Sequence, residues 1–486
     1  MSTPVPASPA DSPAVRSLNR KVVGISVGAA LGGFLFGFDS SVINGAVDSI
    51  QGLYGLSDAA TGFTVASALL GCAVGAWFAG SLANRWGRIR VMVIAAVLFF
   101  VSAIASGLAF SVGDLILWRV VGGLAVGAAS VIAPAYIAEV APAKFRGRLG
   151  SLQQLAIVLG IFAALLTSQL FATTAGGASQ DLWLGLEAWR WMFMAEAIPA
   201  VLYGVIALRL PESPRYLVGK HREAEAEEIL LKYSAEDDTA GKVAEIRASL
   251  GDEEKQSIAD LKGPSFGLKP IVWTGIILAA LQQLVGINVI FYYSTTLWQS
   301  VGFSESDAFL TSTITSVTNI VVTIVAILLV DRIGRRRLLL IGSVGMFLTL
   351  ALMAVAFSHA KLDADGNAIL SGHAANAALI GANGFVVFFG ATWGPVVWVL
   401  LGEMFPNAIR AVALAVAAAV QWLANFAVTV TFPTLSSFNL SAAYGLYAFM
   451  AAVSFFFVLA RVRETNGVEL ENMTDASTVE HVGGRI

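Results

Sequence analysis

Charge is what this sequence has least of. Lys, Arg, Asp and Glu make up 13% of its 486 residues, about half the roughly 25% of an ordinary soluble chain. Apolar residues reach 57% and the mean hydropathy is +0.75, so the balance is that of a polytopic membrane protein. A net charge of −3 supplies no basic field for a nucleic-acid partner. The single cysteine, Cys72, excludes an intrachain disulfide. Four histidines, His221, His359, His373 and His481, all fall outside mid-membrane positions, which leaves no histidine relay. No nucleophile–base set, metal-ligand cluster or cofactor motif is present, so a catalyst of bond chemistry is not expected. Glycine is abundant, with 47 residues, and small residues let helices approach closely in lipid.

A membrane span needs about 20 apolar residues. Twelve such stretches occur, near 23–46, 61–82, 91–111, 115–139, 150–172, 189–210, 271–298, 308–330, 338–358, 376–402, 411–433 and 441–460. The expected fold is therefore an all-α membrane protein with both termini on one side. Arg85, Arg88, Arg90, Lys144, Arg146, Arg148, Arg332, Arg335, Arg336, Arg337 and Arg410 fall in alternate loops. The opposite loops are nearly free of basic residues, so the positive-inside rule puts both termini in the cytoplasm of a plasma (inner) membrane protein. The expected division is a disordered tail over 1–20 without a signal-peptide cleavage site, a six-helix bundle over 21–210, a polar linker over 211–270, a second bundle over 271–461 and a tail over 462–486. The linker, with Arg222-EAEAEEILLKY-Ser234, reads as short amphipathic helices.

The halves repeat each other. Asn84-Arg85-Trp86-Gly87-Arg88 recurs as Asp331-Arg332-Ile333-Gly334-Arg335, and Glu139-x-x-Pro142-x-x-x-Arg146 recurs as Glu403-x-x-Pro406-x-x-x-Arg410. Parallel six-span repeats are the architecture of major facilitator transporters, with the substrate site at the midplane between the halves. One reading is that these arginines only set topology. With Glu139 and Glu403 at inner helix ends, they also read as a cytoplasmic gate, formed by Arg85, Arg88, Glu139, Arg146, Asp331, Arg332, Arg335, Arg336, Glu403 and Arg410. Ion pairs made only with the cytoplasmic side closed bias a two-state equilibrium. Asn84 stands where the repeat has Asp331, so the first half has a hydrogen bond at most where the second can have a charge pair.

Polar residues inside the spans form a second set. Gln154 shares a face of the fifth span with Ile157 and Ile161. The seventh carries Gln282, Gln283, Gly286, Asn288 and Tyr292. On an ideal helix Gln283 and Asn288 point about 140° apart, and a local break at Gly286 would turn both to one cavity. Asn319, Gly394 with Trp398, and Gln421 with Asn425 follow. Amides both donate and accept, as sugar hydroxyls do, and aromatic faces cover sugar C–H surface. The set suits a neutral polyol; the alternative is that each amide only bonds another helix.

Charges within spans are the third set. Asp39 lies in the first, Arg119 near the outer end of the fourth and Glu196 in the sixth. An intramembrane acid costs about 3 kcal/mol or more, and if Asp39 faces Arg119, protonation changes the pairing and releases Arg119 toward Glu196. A permanent structural salt bridge is the other reading.

The segments GGFLFGFD (32–39), NRWGR (84–88), RVVGGLAVG (119–127), PAYIAEVAPAKFRGR (134–148), PESPRYL (211–217), QQLVGINVIFYY (282–293), DRIGRR (331–336) and WGPVVWVLLGEMFPNAIR (393–410) resemble the sugar porters of the major facilitator superfamily, closest in texture to bacterial proton-coupled xylose and glucose permeases. The resemblance implies sugar contacts from Gln154, Gln282, Gln283, Asn288 and Asn319. Trp398, Gln421 and Trp422 complete the cavity, with Phe36 and Phe389 as apolar walls. It also implies proton binding at Asp39, with Arg119 as its partner and Glu196 as the modulating acid. Ile161 matches glucose carriers where xylose permeases have glutamine. The NRWGRIR loop lacks the usual third basic residue at Ile89, and RETNGVELE (463–471) departs from the family's tail pattern, which puts a cytoplasmic lock after the twelfth span in question. The expected function is proton-coupled import of a neutral monosaccharide, most simply a hexose, by a monomer with the proton as coupling ion. A uniporter, or a symporter for xylose, galactose or inositol, is the alternative; a sugar receptor would need longer tails, and a drug exporter a different cavity.

Overall fold

The computed structural model describes residues 13–140, 146–233, 238–253, 257–362, 368–370, 372–406 and 409–464. Among these, eleven helical stretches are long and apolar enough to cross a membrane. The last, Val412–Arg461, measures about 75 Å at 1.5 Å per residue, over twice a hydrocarbon core of roughly 30 Å. It is broken at Asn439 (φ −165°, ψ 104°), where the Asn439 Oδ1 accepts from the Ala442 N–H at 2.9 Å and restarts the helix. Counting both sides of that break, the spans are twelve. The outer loop expected over 434–440 is thus a single non-helical residue.

Other boundaries move as well. The first helix begins at Pro13, so residues 13–20 are helical where a disordered tail was expected. The outer loop after the first span carries a short helix, Val47–Tyr54, and the loop after the fifth a hairpin, Asp181–Trp183 paired with Leu186–Glu187. In the linker, Pro214–Gly219, Glu223–Tyr233 and Thr239–Glu253 are helices. Leu217, Val218, Ala226, Leu230 and Val243 give them a small core of their own.

Glycine sets the spacing of the spans. A Cβ on Gly37 would lie 2.0 Å from the Ile157 carbonyl oxygen, and one on Gly160 2.0 Å from that of Phe34. The first and fifth spans therefore touch backbone to backbone, as small residues allow in lipid.

Three spans depart from a regular α-helix, and each departure sits at a residue singled out in the sequence. The sixth is Ala188–Ala195 and Ala197–Ala207, with Glu196 between them. The seventh is Pro270–Leu284, Ile287–Tyr292 and Ser294–Gln299, and Gly286 has φ +83°. The tenth is Gly372–Phe388, a π-helical turn Phe389–Trp393, and Gly394–Met404. Irregular backbone at membrane depth is tolerated where it is buried in protein or lines a cavity.

The hydrogen bonds that join the two halves between described residues lie at the ends of the spans opposite the linker. Asn44 Nδ2 donates to Ser294 Oγ at 3.1 Å, and the Thr295 N–H donates to Asn44 Oδ1 at 2.9 Å. Gln299 Nε2 reaches Asp48 at 3.0 Å, and the Ala178 N–H donates to Glu305 at 2.8 Å. These bonds tie the two halves together at that end.

Candidate transport site

The three intramembrane charges meet. Arg119 Nη1 donates to Asp39 Oδ1 at 3.1 Å and to the Asp39 carbonyl at 3.1 Å. The Glu196 carboxyl lies within hydrogen-bonding reach of the Asp39 carboxyl, while its Oε1 has no partner. All three residues are buried, at 2%, 2% and 1% exposure. Phe193 stacks on the guanidinium, its ring centre 5.7 Å from the Arg119 Cζ. Two carboxyls and one guanidinium form a neutral buried set only when the carboxyls hold one proton between them, and a hydrogen bond between two carboxyls itself needs that proton.

Four amides of the second half form one chain. Gln421 Nε2 donates to Gln282 Oε1 at 2.7 Å, and Gln283 Nε2 donates to the same oxygen at 3.4 Å. Asn288 Nδ2 donates to Gln283 Oε1 at 2.6 Å. Gln282 Nε2 ends the chain on the Trp393 and Gly394 carbonyls, at 2.9 and 3.2 Å. The Gln421 Oε1 is buried without a partner. Asn425 accepts from Thr429 Oγ1 at 3.2 Å and also meets the Tyr292 hydroxyl.

Trp398, one turn past Gly394, is 42% exposed. Trp422 packs on Phe36 with ring centres 5.6 Å apart, and Phe389 on Phe385 at 6.3 Å. Asn319 is buried against Gly390, outside the amide chain. Gln154, Ile157 and Ile161 are half-buried on the fifth span. Their neighbour Gln153, not singled out in the sequence, is buried with both amide atoms unpartnered and lies against Gly33.

The first span connects the two clusters. Phe36 touches Trp422, Ser40 meets Tyr292, and Asn44 bonds Ser294 and Thr295. Positions 36, 40 and 44 form one i, i+4, i+8 stripe against the second half, while Asp39 turns to Arg119. Ser40, Asn44, Ser294 and Thr295 were missed in the sequence. A four-residue spacing of polar residues in an apolar run is the signal that was available.

At the inner ends the repeat is exact in its partners. Arg88 pairs with Glu139 at 2.8 Å and Arg335 with Glu403 at 3.0 Å. Arg88 also donates to Asn84 Oδ1 at 3.2 Å, the hydrogen bond expected where the repeat has an acid. Each ion pair lies within one half. Gly87 (φ +96°) and Gly334 (φ +93°) start the following helices. Glu212 accepts from the Arg88 N–H at 3.0 Å, and Glu464 from the Arg335 N–H at 2.8 Å. The departure in the tail therefore keeps its acid and the acid's role as a helix cap. Arg85 is exposed, Arg336 donates to the Leu459 carbonyl at 2.9 Å, and Arg410 to the Phe405 carbonyl at 3.1 Å. The side chains of Arg146, Asp331 and Arg332 lie outside the described residues.

Twelve spans in two repeated halves, with broken helices and buried polar chains where the halves meet, define a secondary transporter. The family model described as "Sugar (and other) transporter" matches residues 25–476, and the chain belongs to that family. It is similar to a glucose transport protein of Synechocystis sp., with 54% identity over 96% of this chain and 100% of that one. It is also similar to the D-xylose-proton symporter of Escherichia coli K12, with 38% identity over 93% of this chain and 95% of that one. The solved structure of the proton:xylose symporter XylE bound to 6-bromo-6-deoxy-D-glucose superimposes with a TM-score of 0.78 at 36% identity, over 94% of this chain and 98% of that one. The protein is a multi-pass membrane transporter.

Proposed function

We propose that this protein imports one neutral monosaccharide together with one proton across the plasma membrane by alternating access, both termini being cytoplasmic. The observation that carries the reading is the buried trio in which Asp39 of the first span meets Arg119 of the fourth and Glu196 of the sixth, the Phe36–Ser40–Asn44 stripe of that same first span holding the second half. With Asp39 ionised, Arg119 is held at the first span. A proton on Asp39 weakens that pair and turns Arg119 toward Glu196. The first span then changes its packing, and its stripe carries the change to the seventh and eleventh spans. The proton is the coupling ion, no other cofactor takes part, no bond of the sugar is altered, and one chain suffices.

Gln282, Gln283, Asn288 and Gln421 bond one another, so hydroxyls entering the site exchange partners with them instead of meeting unsatisfied groups. Asn319, Asn425, Tyr292, Gln154 and Trp398 extend the polar surface around this row. Phe36, Phe389, Ile157, Ile161, Gly394 and Trp422 supply its apolar walls. Ile161 and the name of the Synechocystis relative favour a hexose, glucose first. Arg146, Asp331, Arg332 and Arg410 are proposed to complete a cytoplasmic gate.

Counterflow of labelled glucose in proteoliposomes tests the cargo. Competition by glucose ahead of xylose, galactose and inositol is expected. Failure of every monosaccharide to exchange overturns the reading.

A further inference from the structure

Two β-hairpins at opposite faces of the molecule share an arrangement that transport does not explain. In the outer one Trp183 faces Leu186 across a two-residue turn, Leu184–Gly185, with φ of +57° and +68°. In the inner one Ser265 faces Leu268 across Phe266–Gly267, with φ of +49° and +86°. Turns with positive φ at both central residues favour Asn-Gly, because a bulky apolar side chain is strained there. Leu184 and Phe266 take the strained position and are also 89% and 98% exposed. In water each residue is unfavourable twice, by backbone and by hydration.

The register of the two is the same. Leu184 stands four positions before the span Ala188–Ala207, and Phe266 four positions before Pro270–Tyr292. Seven residues after each turn residue comes a tryptophan in the first turn of that span. Trp191 Nε1 donates to the Trp183 carbonyl at 3.2 Å, and Trp273 Nε1 donates to the Ser265 carbonyl at 2.8 Å. An indole at the mouth of a span belongs to the headgroup layer, and here it clamps the hairpin at that depth. The charges differ between the faces. The inner hairpin carries Lys262 and Lys269, beside Asp260, whose carboxylate is occupied by the Ser257 N–H at 2.6 Å. The outer one has Asp181, with Glu187 paired to Arg190 at 2.6 Å.

We propose that these turns are membrane-interface hooks, Leu184 entering the outer leaflet and Phe266 the inner one, with Lys262 and Lys269 bound to anionic lipid headgroups. The hooks fix the depth of the sixth and seventh spans, the two that carry Glu196 and the Gly286 break. Anionic lipid attracts basic residues close to a span end, which assigns the lysine-bearing hook to the inner face.

The test uses the full chain in nanodiscs with Cys72 replaced by Ala and a nitroxide placed at Leu184→Cys, Phe266→Cys or, as a water-facing reference, Glu228→Cys. Power saturation compares collisions with oxygen and with a water-soluble nickel chelate. The oxygen-to-nickel ratio is expected to be severalfold higher at 184 and 266 than at 228. Adding phosphatidylglycerol to phosphatidylcholine should raise it further at 266 alone, an increase that Lys262→Gln with Lys269→Gln removes. A nickel-dominated signal at either turn overturns the hooks, and a ratio at 266 indifferent to phosphatidylglycerol overturns the headgroup contact.

Discussion

Asn288 donates to Gln283 at 2.6 Å across the break at Gly286, although a continuous helix would point the two side chains about 140° apart. The left-handed residue between them is what turns two amides of one span into neighbours. A Cβ at Gly286 would meet the Tyr447 ring at 2.7 Å and sit at φ +83°. Gly286→Ala is therefore expected to weaken sugar binding by about tenfold or more, a change of 1.4 kcal/mol, with the protein still inserted. Binding calorimetry beside a melting curve reads both, and unchanged affinity would mean that the break does not shape the site.

Gln282 holds four partners at once. Gln282→Ala leaves the amide nitrogens of Gln421 and Gln283 and two tenth-span carbonyls short of a bond. An unsatisfied buried group costs about 1–3 kcal/mol, so the variant should melt earlier and bind sugar more weakly. Gln154→Ala, on the half-buried fifth-span face, should lower affinity with little change in melting. The contrast between the two separates binding from scaffold.

The Asn44 side chain makes three polar contacts with the second half, to Ser294 Oγ, the Thr295 N–H and Thr295 Oγ1. At about 1 kcal/mol net each, Asn44→Ala should shift the equilibrium toward the outward-open state. Spin labels at Ser57 and Ser300, exposed on opposite halves of the outer face, should give a longer and broader distance distribution in the variant. An unaltered distribution contradicts a latch at Asn44.

The inner pairs predict unequal costs. The side chains of Arg88 and Glu139 are 9% and 13% exposed, whereas Glu403 beside Arg335 is 26% exposed. Stranding a buried charge costs roughly 3–5 kcal/mol, and solvent screening lowers that figure. Glu139→Gln is expected to lower the melting temperature more than Glu403→Gln, and the reverse order would show that burial does not rank the pairs.

These contrasts also mark what was legible in the sequence. The spans could be counted because apolar length maps directly onto bilayer thickness, and the two repeats exposed the paired arginines and glutamates. Gly286 was readable as a break because two amides on opposite faces needed one. Asn439 was not, since one residue ends the eleventh span where a seven-residue loop was expected. Ser40 and Asn44 were passed over because a serine or asparagine in an apolar run reads as helix glue, and only the packed halves show which stripe of the first span faces the seventh. Glu464 lay in a tail whose departure from the family pattern drew attention away from the acid it kept.

The central claim is that sugar moves with a proton held at Asp39. Moving one charge through 100 mV provides about 2.3 kcal/mol, enough for about 50-fold accumulation. The most direct measurement is the pH outside lightly buffered proteoliposomes when sugar is added, for the native chain and for Asp39→Asn. The account predicts alkalinisation with the native protein, and with the variant no pH change and no uphill accumulation, although sugar exchange continues. Verified sugar uptake without alkalinisation, or accumulation retained by Asp39→Asn, would contradict it.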